Sequence, residues 1–192
     1  MPVNTVSTFL AICAVILAVA LVALVGLVLV SRMSTAARGL LDSVADSFYG
    51  MGPKVALAMA TIAMAGSLYY SEVAGFIPCE YCWYQRIAMY PLVPVLAAGV
   101  RSGDTKVRRY VLPLAIIGSV ISVYHNLLEH FPRLAVTECS GIVSCTAPYI
   151  QKFGFVGIPF MALVSFGVIM AALLLDRSAT GGAPPFARQE TP

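Results

Sequence analysis

Trp83-Tyr84-Gln85-Arg86-Ile87-Ala88-Met89-Tyr90-Pro91-Leu92-Val93-Pro94-Val95-Leu96-Ala97-Ala98-Gly99-Val100 carries a single charge, Arg86. A helix that crosses a bilayer needs about 20 mainly apolar residues, fewer where neighbours help. This stretch is one of five such runs. Thr8 to Val30 has no charge, Val55 to Ser71 follows Lys54, Tyr110 to Leu128 holds His125, and Phe153 to Leu175 follows Lys152. The whole chain is 59% hydrophobic and 11% charged, where a soluble domain is about 25% charged. The reading is an all-α membrane protein.

The first run is too long for the core of a secretion signal, and no basic residue precedes it. We therefore expect residues 1–31 to form an extra N-terminal transmembrane helix, and residues 54–176 to form a four-helix transmembrane bundle. Residues 32–53 are the linker. In it Leu40, Leu41, Val44 and Phe48 recur at helical spacing opposite Asp42 and Asp46. That pattern fits a helix lying on the membrane surface, or an extension of a spanning helix. Residues 177–192, rich in Gly, Pro, Ala and Thr, read as a disordered cytoplasmic tail.

Lys and Arg orient the chain. Arg32, Arg38 and Lys54 lie between runs one and two. Arg101, Lys106, Arg108 and Arg109 lie between runs three and four, and Arg177 and Arg188 follow run five. These segments are expected in the cytoplasm. The net charge of +3 is spread over loops and offers no patch for nucleic acid.

Four of the five cysteines lie outside the apolar runs, in two pairs on the two outward segments. Disulfides form and persist outside the cytoplasm. Cys13, inside the first run, reads as a small buried hydrophobe. Cys79 and Cys82 form a C-x-x-C, which has three readings: a redox dithiol, half a metal site, or a structural disulfide. The flanks favour redox. Pro78 ends the preceding element, and Cys82 falls at or near a helix N-terminus, where exposed N–H groups favour a thiolate. Arg86 follows one turn deeper on the same face. It either snorkels outward or faces the bundle beside the cysteines.

Cys139 and Cys145 are separated by five residues that include Gly141. They can close as a modest staple or serve as an exchangeable disulfide. His125, near the outer end of its run, is either a satisfied buried group or a proton or hydrogen-bond donor at a depth matching Arg86. Four cysteines could also hold zinc or copper(I), but neither pair is followed by a compact ligand array. We expect no metal site.

The segment Pro78-Cys79-Glu80-Tyr81-Cys82-Trp83-Tyr84-Gln85-Arg86, followed by Ile87-Ala88-Met89-Tyr90-Pro91, resembles the signature of the DsbB/BdbC family of disulfide-bond formation proteins. The resemblance continues through Tyr124-His125 with Pro132, Cys139 and Cys145, and Phe153-Gly154-Phe155-Val156-Gly157-Ile158-Pro159. It covers about residues 54–175. It implies an enzyme of the cytoplasmic (inner) membrane of a bacterium. Such an enzyme reoxidises a DsbA-like thioredoxin-fold oxidase outside the cytoplasm and passes the electrons to a membrane quinone, ubiquinone or menaquinone.

By the same resemblance Cys139 forms the mixed disulfide with the partner, Cys145 is its loop partner, Cys79 exchanges with that pair, and Cys82 faces the quinone. Arg86 and His125, with Gln85 and Ile158, are the implied quinone contacts. The short second loop resembles the BdbC branch. The run at 8–30 lies outside the family's usual four helices. The alternatives are a vitamin K epoxide reductase-like quinone-linked oxidoreductase, in which the C-x-x-C comes late in the bundle, and a metal-binding membrane protein.

Overall fold

The computed structural model describes residues 3–104, 106–134, 144–146 and 148–176. Cys139 and the tail expected over 177–192 lie outside them. The elements are α1 (Val3–Val30), α2 (Thr35–Ser47), α3 (Gly52–Leu68), α4 (Glu80–Met89), α5 (Leu92–Ser102), α6 (Arg108–His130) and α7 (Ile158–Leu175). Among the described residues the β content is one isolated bridge, Lys152 to Val156. The chain is an all-α membrane protein. α1, α6 and α7 are each long and apolar enough to cross a bilayer, and α3 with its last turn passes that test together with α2.

α2 is a separate helix. It starts where Ser34 caps it, the Ser34 hydroxyl accepting from Ala37 N at 3.5 Å. Its axis turns 73° from the α3 direction, with the break at residues 48–51. α2 and α3 are thus two helices joined at a sharp bend. At this break the buried Asp176 carboxylate, just past α7, accepts from Gly50 N at 3.0 Å and from Gly52 N at 3.1 Å. It supplies the acceptors that the first turn of α3 lacks.

The stretch 83–100 is not one helix. It breaks at Tyr90-Pro91 into α4 and α5, because proline removes an N–H and its ring clashes with the carbonyl four residues back. The last apolar run also begins later than its hydropathy suggests. Phe153 and Gly154 adopt φ of 54° and 79°, the bridge from Lys152 to Val156 reverses the chain, and α7 starts only at Ile158-Pro159.

α3, the α4–α5 pair, α6 and α7 pack into a bundle around Leu92, Leu96, Val111, Phe166, Ile169 and Leu173. Lipid gives no hydrophobic drive between helices, so close fit must hold them. Ala56 and Ala60 on α3 and Ala115 on α6 provide it, and all three are fully buried. Gly118 on α6 is the tightest point. A Cβ there would lie 2.2 Å from Phe166 Cζ. α1 lies against α7.

Candidate active site

α3 ends in a π-helical turn, Tyr69–Val73, and Gly75 reverses the chain at φ 70°. Phe76 then stacks between Tyr70 (5.9 Å between centroids) and Tyr149 (4.9 Å). This stack ties the segment entering Cys79 to the loop that follows Cys145. Cys79 is the N-cap of α4 in extended conformation, and its Sγ accepts from Cys82 N at 3.4 Å. The helix N-terminus therefore favours the Cys79 thiolate, whereas the spacing suggested that Cys82 would gain that help.

The Cys79 and Cys82 sulfurs are hydrogen-bonded at 2.9 Å, and both cysteines are free. His125 Nε2 reaches Cys79 Sγ at 3.6 Å, and Gln85 Nε2 lies 3.4 Å from His125 Nδ1. With the Gln85 amide donating to Nδ1, the ring proton sits on Nε2 and points at sulfur. Gln85 and His125 are both buried. The Cys79 thiol, at the loop–helix boundary outside the spanning helices, is held well below its ordinary value. The hydrogen bond with Cys82 is the largest cause, then His125 and the Cys82 N–H, against burial, which acts the other way.

Arg86 turns onto α3. Its Nε donates to Ser67 Oγ and its Nη2 to Ser67 O, each at 3.0 Å, and Tyr90 OH donates to Ser67 Oγ at 3.3 Å. The guanidinium also lies 5.3 Å from the Trp83 ring centroid. These contacts hold the guanidinium against α3.

An apolar cavity of about 550 Å³ opens below the dithiol. Cys82, Gln85, Arg86 and Ile158 lie on its wall; Cys79 and His125 do not. His125 thus stands behind the Cys79 sulfur, on the side away from the cavity. Spacing could not reveal this, since it depends on how α6 is rotated against α4. Ser67 was also missed. A lone serine in an apolar run signals nothing until Arg86 is seen to bind it.

Cys145 is buried and disulfide-bonded. Its expected partner, Cys139, lies outside the described residues. The Sγ atoms of Cys79 and Cys82 and a His125 nitrogen lie within 4.8 Å of one another. A soft metal ion takes such donors, so the residues alone do not separate a dithiol from a metal centre.

The family described as "Disulfide bond formation protein DsbB" matches residues 53–176. "Disulfide bond formation protein C" of Bacillus subtilis (strain 168) is 51% identical over 118 residues, covering 61% of this chain and 86% of that relative. "Probable disulfide formation protein C 2" of Bacillus anthracis is 43% identical over 123 residues, covering 64% and 88%. "Probable disulfide formation protein C" of Halalkalibacterium halodurans is 47% identical over 118 residues, covering 60% and 85%. No solved structure matches this chain. α1 and α2 lie outside the family match.

Proposed function

The chain belongs to the DsbB family of disulfide bond formation proteins, and on that premise we propose that it is a membrane thiol:quinone oxidoreductase serving an extracytoplasmic DsbA-like oxidase. One observation carries this reading: a hydrogen-bonded dithiol, Cys79 and Cys82, stands at the edge of a quinone-sized apolar cavity with Cys82 on its wall. Ligand cavities commonly run from about 300 to 1,000 Å³ with a few polar groups among apolar ones. Gln85 and Arg86 are such groups here.

The net reaction transfers two electrons and two protons: the partner dithiol becomes a disulfide and the quinone, a two-electron acceptor, becomes quinol. On the protein side, Cys139 takes the mixed disulfide with the partner and Cys145 is released as the leaving thiolate. The reduced loop pair then exchanges with the Cys79–Cys82 disulfide. The Cys79 thiolate, held by the Cys82 N–H and His125, closes the bond to Cys82 when electrons leave through the cavity. Arg86 places positive charge at the wall where negative charge develops. The relay requires both pairs on the extracytoplasmic face, which the loop Lys/Arg asymmetry supports.

The test mixes a reduced thioredoxin-fold oxidase, the purified protein in lipid and a quinone, following quinone absorbance and thiol loss together. Loss of two thiols per quinone reduced is expected. Thiol loss without quinone reduction would sink the proposal. The clustered ligand atoms of Cys79, Cys82 and His125 favour one rival, a metal site. It predicts about one bound zinc or copper per reduced chain, which elemental analysis reads directly.

A further inference from the structure

The cavity beside Cys82 is not enclosed by the family-matched helices alone. Phe9, Leu10, Cys13 and Leu17 of α1 line it, facing Met59 and Gly66 of α3. These four recur at helical spacing on one side of α1. They lie between residues 9 and 17, the part of α1 that lines the cavity with Cys82. Two contacts hold them there. Lys152 of the outer loop donates to Asn4 Oδ1, and Leu10 rests over Gly66, where a Cβ would lie 3.8 Å from Leu10 Cδ1. Further along, Gly167 of α7 admits Leu21, whose Cδ1 lies 2.8 Å from where a Cβ would stand. Ser7 and Ala11 are buried against the bundle, while Val19, on the side of α1 away from Leu10 and Leu17, is exposed.

We propose that α1 is the lipid-side wall of the acceptor pocket, and that Leu10, Cys13 and Leu17 set which quinone ring fits beside Cys82. The inference rests on the quinone reading above and adds a specificity element from outside residues 53–176. The argument is steric. A quinone comes from the bilayer, and α1 walls part of the space beside Cys82. A ring lying against Cys82 must therefore occupy space that α1 side chains bound. The modest size of Cys13 keeps part of that space open, and a bulkier side chain would fill it.

Cys13→Trp in the full chain should raise the quinone KM about tenfold or more, the scale of an overpacked site. Val19→Trp, on the exposed side of the same helix, should leave the KM unchanged. A second readout needs no substitution. In the oxidised protein, a fully substituted short-chain benzoquinone, which cannot add a thiol itself, should slow alkylation of Cys13 by a membrane-permeant maleimide several-fold. An unchanged KM in a well-folded Cys13→Trp protein would overturn the proposal. If that variant does not accumulate, unprotected Cys13 in the native chain would overturn it equally. A native chain that protects Cys13 yet reduces no quinone would sink the oxidoreductase reading while keeping α1 as a ligand wall.

Discussion

Cys79 Sγ and His125 Nε2, 46 positions apart in the chain, lie 3.6 Å apart, with the histidine buried. The Gln85 amide on Nδ1 leaves Nε2 to donate. The pair thus couples α6 to the N-cap of α4, and in the proposed relay it acts on the thiol that closes the disulfide.

His125→Leu should move the pH midpoint for alkylation of Cys79 upward. The sign follows from the direction: the native thiol is held below its ordinary value, so losing a donor to the thiolate raises it and shrinks the thiolate fraction at neutral pH. A hydrogen bond to a charged group is worth about 1.5–3 kcal/mol, and one pKa unit is about 1.4. The bond to Cys82 remains, so we expect about one unit. Peptide mass spectrometry of iodoacetamide-treated, reduced protein between pH 4 and 9 measures it. An unmoved midpoint would reduce His125 to a packing group.

The relay makes the two pairs separable. Cys79→Ser and Cys82→Ser should each abolish quinone reduction. Cys139→Ser should abolish oxidation of the protein partner, while Cys79 and Cys82 still exchange electrons with quinone. Partner oxidation at the native rate by Cys139→Ser would make the loop disulfide around Cys145 structural.

The pairing of Cys79 with Cys82 was legible because it depends on neighbouring residues, a C-x-x-C at the head of a run, whereas the break at Tyr90-Pro91 was read through, since hydropathy takes 83–100 as one span. The turn at Phe153-Gly154 was hidden by its apolar residues, which hydropathy counts as helix. The contact of His125 with Cys79 was not legible, since it depends on how α6 is rotated against α4, which no local pattern in either segment encodes. The part α1 takes in the cavity was silent for another reason. Val3–Val30 is apolar on every side, so no stripe marks the face that meets protein rather than lipid.

Asp176 should matter for stability and not for chemistry. It accepts from Gly50 N and Gly52 N and joins the end of α7 to the start of α3. Asp176→Ala leaves these donors unmet at a buried site, at a cost of about 1–3 kcal/mol. Asp176→Asn keeps an acceptor and should lose less. Thermal unfolding in detergent should rank native above Asn above Ala, with turnover per folded molecule unchanged. A fall in turnover without a fall in Tm would place Asp176 in the mechanism instead.

Arg86 is the last and most exacting case, because its structural and electrostatic roles share one side chain. It donates twice to Ser67, lies against Trp83 and lines the cavity beside Cys82. Arg86→Met keeps the length and apolar bulk and removes the charge, so membrane insertion should survive. Ser67 then loses its partners from Arg86 but keeps Tyr90 OH, which limits the structural damage. We expect a higher quinone KM and slower quinone reduction, with partner-to-loop exchange at Cys139 unaffected. Ser67→Ala is the control for position: it loosens the guanidinium while leaving the charge, so its quinone KM should fall between those of the native protein and Arg86→Met. Arg86→Lys should rescue little, since an ammonium cannot reproduce the fork that meets Ser67 Oγ and Ser67 O together. Native quinone kinetics in Arg86→Met, at native expression, would show that the guanidinium only braces α4 against α3.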